Sequence, residues 1–167
     1  MYIMRSCNRF YGNGIWSYVN RDKPTCPLCG SRLFSHGTCR RKSIEEDCLE
    51  IHQLRVLKCR NCKRTHRELP DTLVPYKHYG RKLISAVVAG KAKYSYDEST
   101  RYRYIQWVSA LILLMVSFLE KPKRELCKVV SDKIRNGNAT EPDEVSQWLK
   151  LCVSKLVWQE NPALLLE

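Results

Sequence analysis

Two short segments constrain this chain more than any others: Cys26-Pro-Leu-Cys29 and Cys59-Arg-Asn-Cys62. Two residues between cysteines let a tight turn aim both sulfurs at one ion while its backbone N–H groups point towards them. Two such turns complete the tetrahedral four-thiolate shell that Zn2+ prefers. Four sulfurs leave no open position, so the expected zinc is structural and not a Lewis acid. An iron–sulfur cluster takes four thiolates equally well and stays open on spacing alone. Plain packing does not suit two such pairs set among so many Lys and Arg residues.

About 29 residues separate the pairs, so something must fill the gap. Residues 32–42 (RLFSHGTCRRK) and 48–59 (CLEIHQLRVLKC) each show partial alternation, with SIEED at 43–47 as a polar connection. That pattern predicts a β-hairpin projecting from the metal site, a zinc ribbon. Cys39 and Cys48 flank the connection, and either face each other across the strands or pack as small half-buried residues. Core packing suffices for Cys7, Cys127 and Cys152. His36, His52, His66 and His78 could each replace a ligand or touch phosphate, but with four thiolates at hand they are read as polar surface residues or satisfied hydrogen-bonding groups, with His36 and His66 as the exceptions kept open.

Charge points to the partner. The formal net charge is +12; residues 1–97 carry 19 Lys or Arg against 8 Asp or Glu, and residues 98–167 carry 10 against 9. A polyanion should therefore meet the N-terminal half. The start MYIMRSCNRFYG lacks the apolar core and cleavage site of a signal peptide, and nine cysteines leave one over from pairing, so a reducing cytoplasm is expected rather than a disulfide scaffold. The most apolar window, residues 104–119, is 16 residues long and as a helix spans about 24 Å, short of a bilayer core. No membrane span is expected, and the location is cytoplasmic, with the nucleoid if DNA is bound.

The run CPLCGS, then SHG followed by RRK, then LRVLKCRNCKRTHRELPDTLVPYKHY resembles an uncharacterised bacterial family of short zinc-ribbon proteins, themselves similar to the N-terminal DNA-binding parts of insertion-sequence transposases. Its most specific element is Arg64-Thr65-His66-Arg67-Glu68-Leu69-Pro70-Asp71 continuing through Leu73 to Lys77. The stretch DESTRYRYIQW resembles the family's next helix, and residues 148–167 its closing segment more loosely. The resemblance implies a role on DNA, in or beside mobile elements.

After the ribbon, LPDTLVPY carries two prolines and reads as an extended connector. Residues 79–90 place Leu83, Ile84, Val87 and Val88 on one face, with Gly90 as a stop. Ser95 with Glu98 forms a capping-box pattern for a helix running to about Leu119, ended by Pro122. Residues 123–137 form a shorter amphipathic helix closed by Asn136-Gly137, and residues 140–158 a last one with Thr140 as N-cap and Pro142 in its first turn. In NAT at 138–140 we read a turn and cap, not a glycosylation site. The expected fold is α+β: a zinc ribbon with an N-terminal extension over residues 1–76, then a helical region of about four helices over 77–167.

The helices at 79–89 and from about 96 suggest a shortened helix-turn-helix, the alternative being a simple helical hairpin. Candidate nucleic-acid contacts are Arg40, Arg41 and Lys42 on the hairpin, Arg64, Arg67 and Lys77 after it, and Thr100, Arg101, Arg103 and Gln106 on the second helix, where Arg101 and Arg103 would read bases. Tyrosines 94, 96, 102 and 104, interleaved with Lys and Arg, either stack on unpaired bases or sit half on a core. The apolar stretch 107–119 is a core helix, or a homodimer interface as second choice.

No carboxylate constellation on a βαβ pattern, Gly-rich phosphate loop, nucleophile elbow or deaminase H-x-E is present, so no enzyme is expected. The function expected is a non-catalytic zinc-ribbon protein binding double-stranded DNA in transposition or mobile elements. The alternatives are an adaptor docking on a transposase or another nucleic-acid machine, and an RNA or single-strand binder.

Overall fold

A computed structural model describes residues 1–4, 6–46, 48–93, 96–138 and 141–155. Tyr94, Ser95, Thr140 and residues 156–167 of the expected closing segment lie outside the described residues. The order is β1 (Tyr2–Ile3), β2 (Cys7–Gly12), β3 (Ile15–Asn20), β4 (Leu33–Glu45), β5 (Cys48–Cys59), β6 (Thr65–Leu69), α1 (Arg81–Val88), α2 (Glu98–Leu114), a 3-10 turn (Met115–Phe118), α3 (Lys121–Arg135) and α4 (Pro142–Lys155). The chain is α+β, a curled six-stranded sheet followed by four helices.

The β4–β5 hairpin is the spine. It is longer than expected, because Ser43, Ile44 and Glu45 of the supposed connection pair with Glu50, Leu49 and Cys48. Cys39 stands opposite Leu54 and Cys48 opposite Glu45, so the two cysteines do not face each other. On its other edge β5 takes two neighbours end to end, β3 in parallel at residues 51–53 and β6 antiparallel at 56–58. Leu54 and Leu57, three apart on one strand, point to opposite faces. Leu54 packs with Met4, Tyr18, Leu69 and Leu73, while Leu57 packs with Leu33, Cys26 and Cys59. A bulge in β4 between Ser35 and Gly37 accompanies this change of face. Such an extra residue bends the strand and re-aims its side chains.

The N-terminal extension is itself a hairpin, β2–β3, turning through Asn13 and Gly14 with φ of 51° and 75°. A two-residue turn with both φ positive matches strand twist and favours Asn-Gly. Arg9 locks this hairpin to the spine, its guanidinium 3.4 Å above the Trp16 ring and bidentate on Glu50 at 2.8 and 3.0 Å. His52 is buried between Tyr18 and Ser43, which bond Nδ1 and Nε2 at 2.8 and 2.7 Å. Burial lowers its pKa from 6.5 to about 4, so it is a neutral core histidine.

Residues 70–80 are not an extended connector. Leu73 bridges Gly80, Arg81 N–H donates to Thr72 O at 2.9 Å, and Leu73 and Val74 enter the two main cores. The loop is also sewn to β4: Ile44 N–H donates to His78 O at 2.8 Å and Gly80 N–H to Ile44 O at 3.0 Å. Helix α1 has no side-chain cap of its own. Glu45 supplies one from the hairpin, its Oε2 accepting from Leu83 N–H at 3.3 Å. Gly80 gives it room, since a Cβ there would stand 1.7 Å from Glu45 Oε1.

The helices bury their expected faces. Leu83, Ile84, Val87 and Val88 of α1 are buried. Both α1 and α3 end in Schellman bonds, Lys91 N–H to Ala86 O and Asn138 N–H to Lys133 O. Helix α2 starts at Glu98 with Asp97 as N-cap, its Oδ1 accepting from Thr100 N–H at 2.6 Å. An aspartate directly before the helix thus does the work expected of Ser95. Pro122 does not end that helix but opens α3, where its missing N–H costs nothing. Val108, Leu111, Ile112 and Met115 are wholly buried against α1, α3 and α4 in this chain's own core, while Ala110 and Phe118 of the same stretch are exposed. Among the described residues no helix is long and apolar enough to cross a membrane.

Candidate functional site

The four paired cysteines converge. Their sulfurs all lie within 4.8 Å of one another, with Cys26–Cys62 at 3.6 Å and Cys29–Cys59 at 3.5 Å. These gaps are far beyond the ~2.05 Å of a disulfide. They approach the roughly 3.8 Å edge of a tetrahedron with sulfurs about 2.3 Å from a central ion. The two turns are built alike. Cys26 N–H donates to Ser31 O at 2.7 Å and Cys59 N–H to Arg64 O at 2.9 Å, and the residues after each pair, Gly30 and Lys63, have φ of 70° and 61°. Main-chain N–H groups of Ser31 and Arg64 hydrogen-bond the second sulfur of each pair. The Ser31 hydroxyl and then its N–H hold the Cys29 thiol down at about 5, while at Cys62 the Arg64 N–H is outweighed by burial and the three neighbouring sulfurs, which push that thiol up to about 11.

Behind the sulfurs lies His66, 1% exposed, with Nε2 3.3 Å from Cys26 Sγ. It orients a ligand and is not one itself, since it stands outside the four-sulfur group. Leu33, Leu57, Leu28 and Tyr2 close the apolar side. The donor set therefore fits a structural metal ion with a closed shell.

Around the second turn the surface is cationic. Phe34, Ser35, His36, Lys58, Arg60 and Lys63 line a depression of about 260 Å³ beside Cys59. The guanidinium carbons of Arg60 and Arg32 lie 4.2 and 5.5 Å from the Phe34 ring centroid. His36, exposed here, owes its position to the β4 bulge. None of Lys58, Arg60, Lys63 and Arg32 was singled out from the sequence as a contact. The signal is the density of Lys and Arg around the two C-x-x-C pairs, which the sequence shows without marking any one of these four as a contact.

The residues singled out from the sequence divide. Arg40 and Lys42 are exposed, as are Arg64 and Arg67. Arg41, between the first two, takes the opposite face of the pleat, beside His52. Its Nη2 donates to Val74 O and Lys77 O, both at 2.5 Å, and burial pushes its pKa down to about 10. It is a clamp, which corrects its place among the phosphate contacts. Lys77 is half-buried with Nζ 4.8 Å from the Trp107 ring centroid. Arg101, with 28% of its side chain exposed, folds over Gly90, 3.2 Å from where a Cβ would stand, and pairs with Glu98 at 3.7 Å. Arg103 is exposed and donates to Thr100 Oγ1 at 3.0 Å. The pair expected to read bases is thus split: one arginine braces the α1 terminus and one faces solvent. Residues 89–97 between α1 and α2 also exceed the three or four residues of a usual helix-turn-helix.

Lys77, Thr100, Arg103 and Gln106 nevertheless meet. They line a groove of about 1000 Å³ between residues 76–79 and the outer face of α2, together with Tyr76, Tyr102, Tyr104 and Trp107. Tyr79 and Tyr104 stack at 5.7 Å and Tyr104 meets Trp107 edge-on at 6.3 Å, forming its floor.

No curated protein and no solved structure matches the chain. Residues 26–104 match the model of a domain of unknown function (DUF6431), a span that begins at the first metal-site cysteine and runs through the hairpin, the 70–80 loop and α1 to Tyr104 on the groove floor.

Proposed function

We propose that the protein is a non-catalytic, zinc-stabilised DNA-binding protein whose metal turns present a phosphate-binding face. The observation that carries this reading is how the cations are sorted. Arg9, Arg55, Arg81, Lys91, Arg101, Lys128 and Lys150 each pair with a carboxylate, and Arg41 is occupied by carbonyls. Among the described residues, Arg32, Lys58, Arg60, Lys63, Arg64 and Arg67 take part in no ion pair, and all are exposed; unpaired cations also occur elsewhere, as at Lys121, Lys123, Arg124, Lys133 and Arg135 of α3, but these six surround the metal turns. Cations left without carboxylates and gathered on one end of a rigid hairpin suit a polyanion's phosphates. Arg40 and Lys42 are exposed further along β4, on the opposite side of the pleat from Lys58 and Arg67.

Zn2+ is our reading of the metal: four thiolates this close favour a single tetrahedral ion over a bridged iron cluster, and among single ions the closed four-thiolate shell is the usual structural zinc site. Its chemistry is structural: it fixes the two turns and hence the cations around them. Association with mobile elements, alongside a transposase or in restraint of one, rests on the sequence resemblance. The test is elemental analysis of the purified chain, then titration of labelled duplex DNA at about 50 and about 200 mM salt. One zinc per chain and a steep loss of affinity at the higher salt are expected. Absence of zinc, or no duplex binding at the lower salt, overturns the reading.

A further inference from the structure

The groove on α2 is a different surface from the cationic end of the hairpin, and its chemistry is aromatic. Tyr102 is 64% exposed and Tyr76 is 48% exposed. Tyr76 moreover sits at φ 61°, in the left-handed region that aromatic residues seldom enter. Such strain persists only where surrounding structure imposes it, and it concentrates at functional sites. Residues 74–77 close a tight turn, Lys77 N–H donating to Val74 O at 3.3 Å, with Pro75 second and Tyr76 third, the place where positive φ arises, and Arg41 bonds the carbonyls at both ends of that turn. Turn and clamp together hold the Tyr76 ring at the groove's edge, on a residue type that a positive-φ position does not favour. Ordinary half-buried tyrosines are present too, in Tyr79 and Tyr104, and they form the floor rather than the rim.

Among the described residues no carboxylate lines the groove, while Lys77, His78 and Arg103 do, beside the apolar Ala110, Leu111, Leu113 and Leu114, so its occupant combines an apolar face with anionic or electron-rich groups. Thr100 and Gln106 add polar groups able to meet base edges. A duplex keeps its base faces stacked inside and cannot offer them to exposed rings. Unpaired bases can, and aromatic stacking with nearby cations is how single strands are held irrespective of sequence.

We infer that this groove seats unpaired nucleobases of a single-stranded stretch, stacked on Tyr76 and Tyr102, with Arg103 on the adjoining phosphate. The inference rests on the nucleic-acid reading above and names the form of nucleic acid this site takes. Duplex phosphates meet the hairpin end, and a strand opened or frayed beside them reaches the groove.

The experiment measures binding of the full zinc-loaded chain to a dodecamer of thymidine carrying one 2-aminopurine, and to a duplex of equal length, for wild type, Tyr102→Ala, Tyr76→Gly and Tyr76→Phe. Glycine at 76 removes the ring and also the backbone strain, and alanine suits an exposed helix position, so neither variant should fail to fold. Single-strand affinity should fall roughly five- to a hundredfold for Tyr102→Ala and Tyr76→Gly, and remain for Tyr76→Phe, which keeps the stacking face. Quenching of 2-aminopurine should fall with it, and duplex affinity should change less than about twofold. Unchanged single-strand binding in both ring-removing variants overturns the inference. Equal losses on both nucleic acids also overturn it, as does a wild type that binds duplex alone, which would leave the groove to a protein segment. Failure to bind either nucleic acid overturns the broader reading as well.

Discussion

Arg40 and Arg41 are neighbours of identical chemistry whose removal should do opposite things. Arg41→Ala deletes two charge-assisted hydrogen bonds to Val74 O and Lys77 O. Bonds to charged groups contribute about 1.5–3 kcal/mol each. Water can reach the carbonyl of half-buried Lys77, whereas Val74 O, on a wholly buried residue, keeps only the long turn bond from Lys77 N–H at 3.3 Å. A net loss of about 3 kcal/mol is therefore expected. The amides of residues 77–80, fastened to β4 through His78 and Ile44, should lose exchange protection first. Arg40→Ala removes an exposed side chain and should stay within about 0.5 kcal/mol of wild type, while lowering DNA affinity. Urea unfolding followed by tryptophan fluorescence, with amide exchange, measures both. Equal stabilities for the two variants would refute the assignment of Arg41 as a clamp.

Two further outcomes follow from buried groups. His52 has its pKa lowered from 6.5 to about 4, so the unfolded chain takes up a proton in that window and the folded chain does not. Stability should fall by about 2 kcal/mol between pH 7 and 4.5, more steeply than in His52→Gln, and parallel curves would contradict it. Gly80→Ala should displace Glu45 from the N-terminus of α1, costing about 1–2 kcal/mol. Glu45→Ala should cost a similar amount, and the double variant should cost less than the sum. Additive losses would mean that Glu45 is no cap.

What the sequence made legible was local. The two C-x-x-C pairs, the hairpin between them, the apolar faces of α1 and α3 and the stops at Gly90 and Asn136-Gly137 each depend on residues close together, and each is present. The β2–β3 hairpin was equally local, announced by Asn13-Gly14 between strand-forming residues, yet it was read as a featureless extension. Other features depend on distant partners. That Arg41 turns inward follows from the pleat only once the side holding His52 is known to be the core. The closed 70–80 loop is held by Arg41 and Ile44, about 30 to 40 residues upstream, against the local preference of two prolines for extended chain. The groove joins residues 76–79 to α2 across α1, so its members were legible singly and their meeting was not.

The central claim is that cations fixed by the metal turns contact nucleic-acid phosphates. The most direct measurement is the slope of log affinity against log salt for duplex DNA, in wild type and in the triple variant Lys58→Ala, Arg60→Ala, Lys63→Ala. These side chains are exposed and line the depression beside Cys59. Each lost phosphate contact should reduce the slope by about 0.9. The variant should therefore bind with a slope shallower by about 2 to 3 and an unchanged zinc content, whereas a slope identical to that of wild type would contradict the claim.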